Sequence, residues 1–309
     1  MNSKQLAPII LFAYNRPVHL KKTLDALAAN YLAKQSELII YIDGVKQEAS
    51  QKDIQQTSQV KKIAEEEVRF KNKKVVIAQH NKGLAKSIIE GVTNTVNEYK
   101  KVIVLEDDMI TSPYFLNFLN EALTLYENNA FVSCISGYIY PVKGLLPETF
   151  FIKGADCWGW ATWKRAWDIF EPNGTLLLNN LTEKKLFYDF NFYDSYPYLK
   201  MLEDQIAGRN NSWAIRWYAS AFLQEKLTLY PAVSFVRNIG FDGSGTHSGK
   251  RNLWEAKELT GSFNLKEINA VEDAKAKMII ADYFRSILKK SLGHHIKQAI
   301  RSIINKSSS

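Results

Sequence analysis

The chain has 309 residues, 46% of them apolar and 23% charged, with a formal charge of +8. That balance excludes a disordered chain and fits one large α/β domain with an appendage, or two ordinary domains. Two cysteines, Cys134 and Cys157, with no CxxC or Cys/His cluster, exclude a disulfide framework and a structural zinc site.

The charge is unevenly placed. Residues 274–306 hold eight Lys/Arg against one acid, Asp282, so this segment supplies 8 − 1 = +7 of the total. The rest is nearly neutral, which argues against a nucleic-acid partner. No basic leader precedes a long apolar run, and no stretch reaches the about 18 to 20 apolar residues of a spanning helix. The expectation is a cytoplasmic protein, peripheral on the inner face of the cell membrane if the basic segment docks there.

In chain order, residues 8–14 read as a buried strand ending in Asn15-Arg16-Pro17, followed by a helix over 20–29. Residues 37–42 form the next strand, closing on Asp43-Gly44. A polar helix over about 50–70 leads to a strand at 74–78, then Asn81-Lys82-Gly83-Leu84 and a helix to about Tyr99. Val102-Ile103-Val104-Leu105 is a β-branched apolar run, buried on both faces, that ends in Glu106-Asp107-Asp108. Alternating strands and helices predict a mostly parallel sheet with helices on both faces, and ligands of such sheets bind beyond the carboxyl ends of the strands. Asn15, Arg16, Asp43, Asn81, Lys82, Glu106, Asp107 and Asp108 all fall at such ends. Three adjacent carboxylates keep their charge most easily beside a cation, and Mn2+ or Mg2+ carrying a diphosphate suits them. No GxGxxG follows the first strand and no GxxxxGK[ST] occurs, which disfavours Rossmann dinucleotide binding and P-loop hydrolysis.

A helix to about Tyr126 and a strand over 131–136 come next. Four of the seven tryptophans, Trp158, Trp160, Trp163 and Trp167, then fall within ten positions. Indole stacks on sugar rings and packs cores equally well, so Trp158 and Trp160 are candidates for a sugar site, while Trp163 and Trp167, spaced by four on one helix, are read as core. Glu203-Asp204 lies in a helical region ending near Gly208-Arg209. Residues 213–223 form a further apolar helix, 227–236 are extended, and a glycine-interrupted loop runs from Asn238 to His247, whose imidazole could bind a metal. From about 274 an apolar stripe among basic residues reads as an amphipathic helix for an anionic membrane surface, a partner, or the domain's own core.

Asn15-Arg16-Pro17 after a first strand, a strand ending in Ile42-Asp43-Gly44, the Asn81–Leu84 turn and the Val104–Met109 stretch together resemble the nucleotide-sugar half of a GT-A glycosyltransferase. The resemblance is to family 2-like bacterial enzymes and, in the Glu-Asp-Asp stretch and the later Gly159-Trp160 segment, to the N-acetylglucosaminyltransferase I type. It covers about residues 7–250. It implies a GT-A domain over 1–250, with a nucleotide-sugar half at 1–110 and an acceptor half at 111–250, and a basic helical tail at 251–309.

The same resemblance implies site roles: Asp108 and His247 on a metal, Asp107 or Glu106 facing the ribose or sugar, and Asn15, Arg16 and Asp43 holding base and ribose. Asp204, with Glu203 in reserve, would be the catalytic base, and Arg209 beside it a substrate-binding residue. A processive QxxRW signature is reduced to Ala214-Ile215-Arg216-Trp217, which disfavours polymer synthesis. The expected reaction is metal-dependent inverting transfer from a UDP-type sugar donor to a glycan or lipid-linked hydroxyl. The rivals are a sugar-nucleotide nucleotidyltransferase and a non-catalytic carbohydrate-binding protein of the membrane surface.

Overall fold

The computed structural model describes residues 5–243 and 263–288. The first strand, β1 (Ile9–Ala13), is buried at every position. Ile9, Leu11 and Ala13 point into one core, and Ile10 and Phe12 into another. A strand with two apolar faces belongs at the centre of a sheet covered on both sides. Helix α1 (Pro17–Ala28) starts with Pro at its first turn, where the missing N–H costs nothing. After β2 (Glu37–Ile42), helix α2 (Gln51–Glu66) is opened by a reciprocal capping box of Ser50 and Asp53. Strand β3 (Asn72–Ile77), helix α3 (Leu84–Tyr99) and β4 (Lys101–Glu106) complete the first half.

The second half comprises β5 (Met109–Thr111), α4 (Phe115–Leu125), β6 (Val132–Ser136), β7 (Thr149–Lys153), β8 (Trp160–Trp163) and α5 (Lys164–Trp167). Then come α6 (Gly174–Glu183), α7 (Phe187–Phe190), α8 (Tyr198–Ile206), α9 (Trp213–Leu223), β9 (Leu227–Pro231) and β10 (Val236–Asn238). A last helix, α10, spans 274–288.

Eight strands form one sheet in the order β3-β2-β1-β4-β8-β6-β9-β7, while β5 and β10 pair separately. Strands β1 to β4 are parallel, so their carboxyl ends share one edge. Strand β8 runs antiparallel to β4, with Val104 opposite Trp160, so the chain entering β8 lies beside Glu106. Helices α1, α2 and α4 cover one face, and α3, α5 and α9 the other. This is the α/β arrangement expected from the sequence, a mostly parallel sheet with helices on both faces.

Three expectations change. Trp163 ends β8 and does not share a helix with Trp167, because pairing with Lys101 holds it extended. Strands β5 and β7 were not anticipated. The described part of the 251–309 segment does not stand apart: Ala276, Ile280, Ala281, Phe284 and Ile287 of α10 are buried, most of them against Ile139, Phe150, Ile152 and Tyr230. Lys277, at 3% exposure, bonds Glu272 at 3.1 Å and lies 4.4 Å from the Tyr193 ring. The apolar stripe over 274–288 therefore covers the domain's own core and is not offered to a membrane. Residues 289–306 lie outside the described residues. Among the described residues no helix is long and apolar enough to cross a membrane.

Candidate active site

At the end of β4 the chain turns through Asp107 and Asp108 directly into β5. Thr23 of α1 donates to the Asp107 carbonyl at 2.7 Å, and Ile239 N–H to the Asp108 carbonyl at 2.8 Å. The β5–β10 pair, with Met109 opposite Asn238, stitches the 238–243 segment across the acidic turn. Gly240 approaches so closely that a Cβ there would sit 2.2 Å from Asp108 Oδ2.

Arg16, at the start of α1, is the cation facing these acids. It lies 2.8 Å from Asp108 and 3.6 Å from Asp107, with Asp242 at 3.9 Å. His19, one turn along, meets Asp242 at 3.2 Å. Burial, then Arg16, holds the His19 imidazole below its ordinary pKa, so it is neutral near pH 7. Burial first, then the neighbouring acids, pushes Glu106 up to about 8 and Asp107 up to about 7. Asp108 Oδ1 is buried without a hydrogen-bond partner among the described residues. A carboxylate oxygen left in that state calls for a cation or a donor.

The other predicted residues separate into those at the site and those nearby with other duties. Asp43 is nearly buried, and both its oxygens are engaged: Gly44 N–H at 2.8 Å and Lys82 N–H at 2.7 Å on Oδ1, Gly83 N–H at 2.8 Å and Asn81 Nδ2 at 3.1 Å on Oδ2. Its place is bracing the Asn81–Gly83 turn rather than accepting from a base or ribose, because four donors already fill its lone pairs. Asn15 donates to Asp53 at 2.9 Å, and Lys82 pairs with Glu90 at 2.7 Å.

Trp158 packs edge-on against Tyr138 at 4.7 Å and Phe241 at 5.8 Å, next to the acidic turn. Trp160 differs from expectation. It is 0% exposed, stacked on Trp213 at 5.5 Å and flanked by Trp167 and Trp217, so no indole face is left for a sugar. The place of β8 between β4 and β6 decides this, because both faces of the strand are covered.

Asp204 and Glu203 lie on α8, which packs on α6, α7 and α9. Asp204 is ion-paired to Lys200 and to Arg209, and these two, Lys200 first, hold its carboxyl below the usual range. Its described partners are all on its own helix and the following turn, and Glu203 is exposed. No contact among the described residues ties Asp204 to the acidic turn. His247 lies outside the described residues.

Sequence reasoning passed over His19 and Asp242. His19 follows Arg16 by three positions, the spacing that puts two side chains on one helix face.

Residues 1–143 match the GNT-I family. The match takes in α1 to β6 and the whole Arg16–Glu106–Asp108 constellation, and it agrees with the resemblance carried by the Glu-Asp-Asp stretch. It supports a glycosyltransferase over the nucleotidyltransferase and binding-protein rivals. Among solved structures, the mannosyltransferase PcManGT from Pyrobaculum calidifontis in complex with GDP-Man and Mn2+ is 12% identical at TM-score 0.31, the match covering 44% of this chain and 36% of that one. S. aureus TarS 1-349 in complex with UDP is 16% identical at TM-score 0.32, over 48% of this chain and 40% of that one. This chain thus spans well under half the length of either structure. Overlaps so partial leave the fold to rest on the chain's own topology.

Proposed function

We propose that the chain is a metal-dependent, inverting glycosyltransferase that takes a sugar from a nucleoside-diphosphate donor, UDP-linked by preference, to a hydroxyl of a glycan or lipid-linked acceptor. One observation carries the reading: the carboxyl ends of β1 and β4 place Arg16 against Asp107 and Asp108, while Asp108 Oδ1 is buried and unpartnered. Among the described residues no group of three His, Cys, Asp or Glu is arranged as a complete metal site. Two hard carboxylates that keep several positions for water and phosphate nevertheless fit Mg2+ or Mn2+. Asp108 with Asp107, and His247 from the later loop, would hold the ion. Bound there, a divalent cation supplies Lewis-acid stabilisation to the departing diphosphate. Arg16 is the protein's own cation on the same oxygens, suited to forked phosphate contacts once it leaves Asp108. Trp158 offers an aromatic face beside Glu106 for the sugar.

A thermal-shift panel of UDP, GDP, UDP-sugars and GDP-mannose, with and without Mn2+, tests this. Asp107 and Glu106 hold protons in the folded chain up to about 7 and about 8, against ordinary values of 3.8 and 4.5. Unfolded chains release those protons sooner, so the metal-free protein loses stability as pH rises through this window. Mn2+ competes with the same protons, so its stabilisation is larger at pH 8 than at pH 6. A UDP or UDP-sugar shift that needs Mn2+ and grows with pH is the expected result. No shift with any nucleotide, or one indifferent to Mn2+ and pH, contradicts the reading. Pyrophosphate release from a nucleoside triphosphate and a sugar phosphate would point instead to the nucleotidyltransferase.

A further inference from the structure

A cavity of about 110 Å3 lies near the β5–β10 pair and shares no residue with the acidic site. Its deepest lining is Phe118 of α4 and Phe235, two buried rings stacked at 4.5 Å. Phe263 meets both edge-on at 5.5 Å, and Pro231, Val233 and Leu265 complete the apolar lining. Val233 is 40% exposed, so the cavity opens to solvent there. The strand ends account for the gap. Thr149 at the start of β7 pairs with Pro231 at the end of β9, and one further bond, from Ala232 N–H to the Glu148 carbonyl at 3.0 Å, closes the ladder. Beyond it the two chains part above α4.

The cavity stands in register with the acidic turn. Strand β8 is antiparallel to both β4 and β6, and β9 is parallel to β6, so β4, β6 and β9 run the same way. Pro231 therefore lies on the same carboxyl edge of the sheet as Glu106. Strand β10 joins the two places. Phe235 precedes it, with its carbonyl accepting from Ser112 N–H at 2.8 Å, and Asn238 at its other end pairs with Met109, next to Asp108. Three residues of extended chain, about 10 Å, separate the rings from the acidic turn.

Dry apolar cavities on the order of 150 Å3 take one benzene-sized group. This one is smaller and open, which suits the end of an alkyl chain. Its polar lining is Glu148, Thr149 and Asn264, with no Lys, Arg or His. Such a lining offers nothing to a phosphate or to an anionic bilayer, both of which need basic residues.

We propose that this cavity binds the alkyl chain of the acceptor, which is then a glycoside carried on an apolar chain through an uncharged link. The inference rests on the glycosyl-transfer reading above and names the acceptor class for it. The chain is buried on Phe118 and Phe235, and its sugar lies along β10 toward the acidic turn. Each methylene removed from water improves binding about fourfold until the cavity is full.

The experiment titrates methyl, propyl, pentyl and octyl β-D-glucosides, below their micelle concentrations, into the whole chain by calorimetry. The expected Kd falls about fourfold per added methylene and then levels. Val233→Asp puts a charge at the exposed mouth, and Ala232→Leu fills the lining. Each is expected to weaken octyl glucoside at least about tenfold, the loss of two buried methylenes, and to keep the Mn2+-dependent nucleotide shift in Tm. A Kd indifferent to chain length, or unchanged in both variants, overturns the inference and leaves the functional reading standing. A concentration-dependent dimer in light scattering that Val233→Asp breaks assigns the cavity to a second copy of the chain and overturns it as well. No nucleotide shift in the wild-type chain overturns the functional reading, and the acceptor assignment with it, even where octyl glucoside binds.

Discussion

Asp108→Asn is expected to lower kcat/KM about 100- to 1,000-fold, the usual cost of losing a preorganised electrostatic contact to a developing charge. The same change should leave the fold intact. Arg16 keeps Asp107 and Asp242 as partners, and Asp108 is itself a cause of the raised titrations of Glu106 and Asp107. Removing it relieves that repulsion, so both acids ionise at lower pH. Stability of the metal-free protein then falls less steeply between about pH 4 and 8, which a series of thermal melts reads directly. A variant with full activity, or one with an unchanged pH slope, would place the functional charge elsewhere.

Gly240→Ala is expected to separate function from stability. Its new Cβ would lie 2.2 Å from Asp108 Oδ2 and 3.0 Å from Asn238 Oδ1. Asp108 is a short side chain already held at 2.8 Å by Arg16, so it cannot yield without leaving that partner or turning away from the site. Gly240 lies outside the eight-stranded sheet and is followed by the exposed Asp242 and Gly243, so its displacement costs the main core little. The expected outcome is at least a tenfold loss of Mn2+-dependent nucleotide affinity, about 1.4 kcal/mol, measured by calorimetry, with a Tm close to wild type. A loss of Tm without loss of affinity would mean that the glycine serves packing alone.

The parallel half of the sheet was legible because its signals are local: β-branched runs of strand length, turns at Asp43-Gly44 and Asn81–Gly83, and helices with uninterrupted periodicity. The Glu106–Asp108 cluster was legible because a charged triplet after a buried strand has few structural uses. What failed was long-range. Trp160 turns inward because β8 inserts between β4 and β6, which no local pattern announces. Asp43 looks like a free strand-end acid until the Asn81–Gly83 turn folds onto it from 38 to 40 residues away. The apolar stripe of α10 has the same pattern whether it meets lipid or the Phe150–Tyr230 surface.

The most direct test is hydrogen–deuterium exchange with and without UDP plus Mn2+, and with UDP alone. Protection is predicted at residues 14–20, 105–112 and 238–243, only when both are present, with 198–210 unchanged. Protection confined to 198–210, or none at the acidic turn, would contradict a nucleotide site built on Arg16, Asp107 and Asp108.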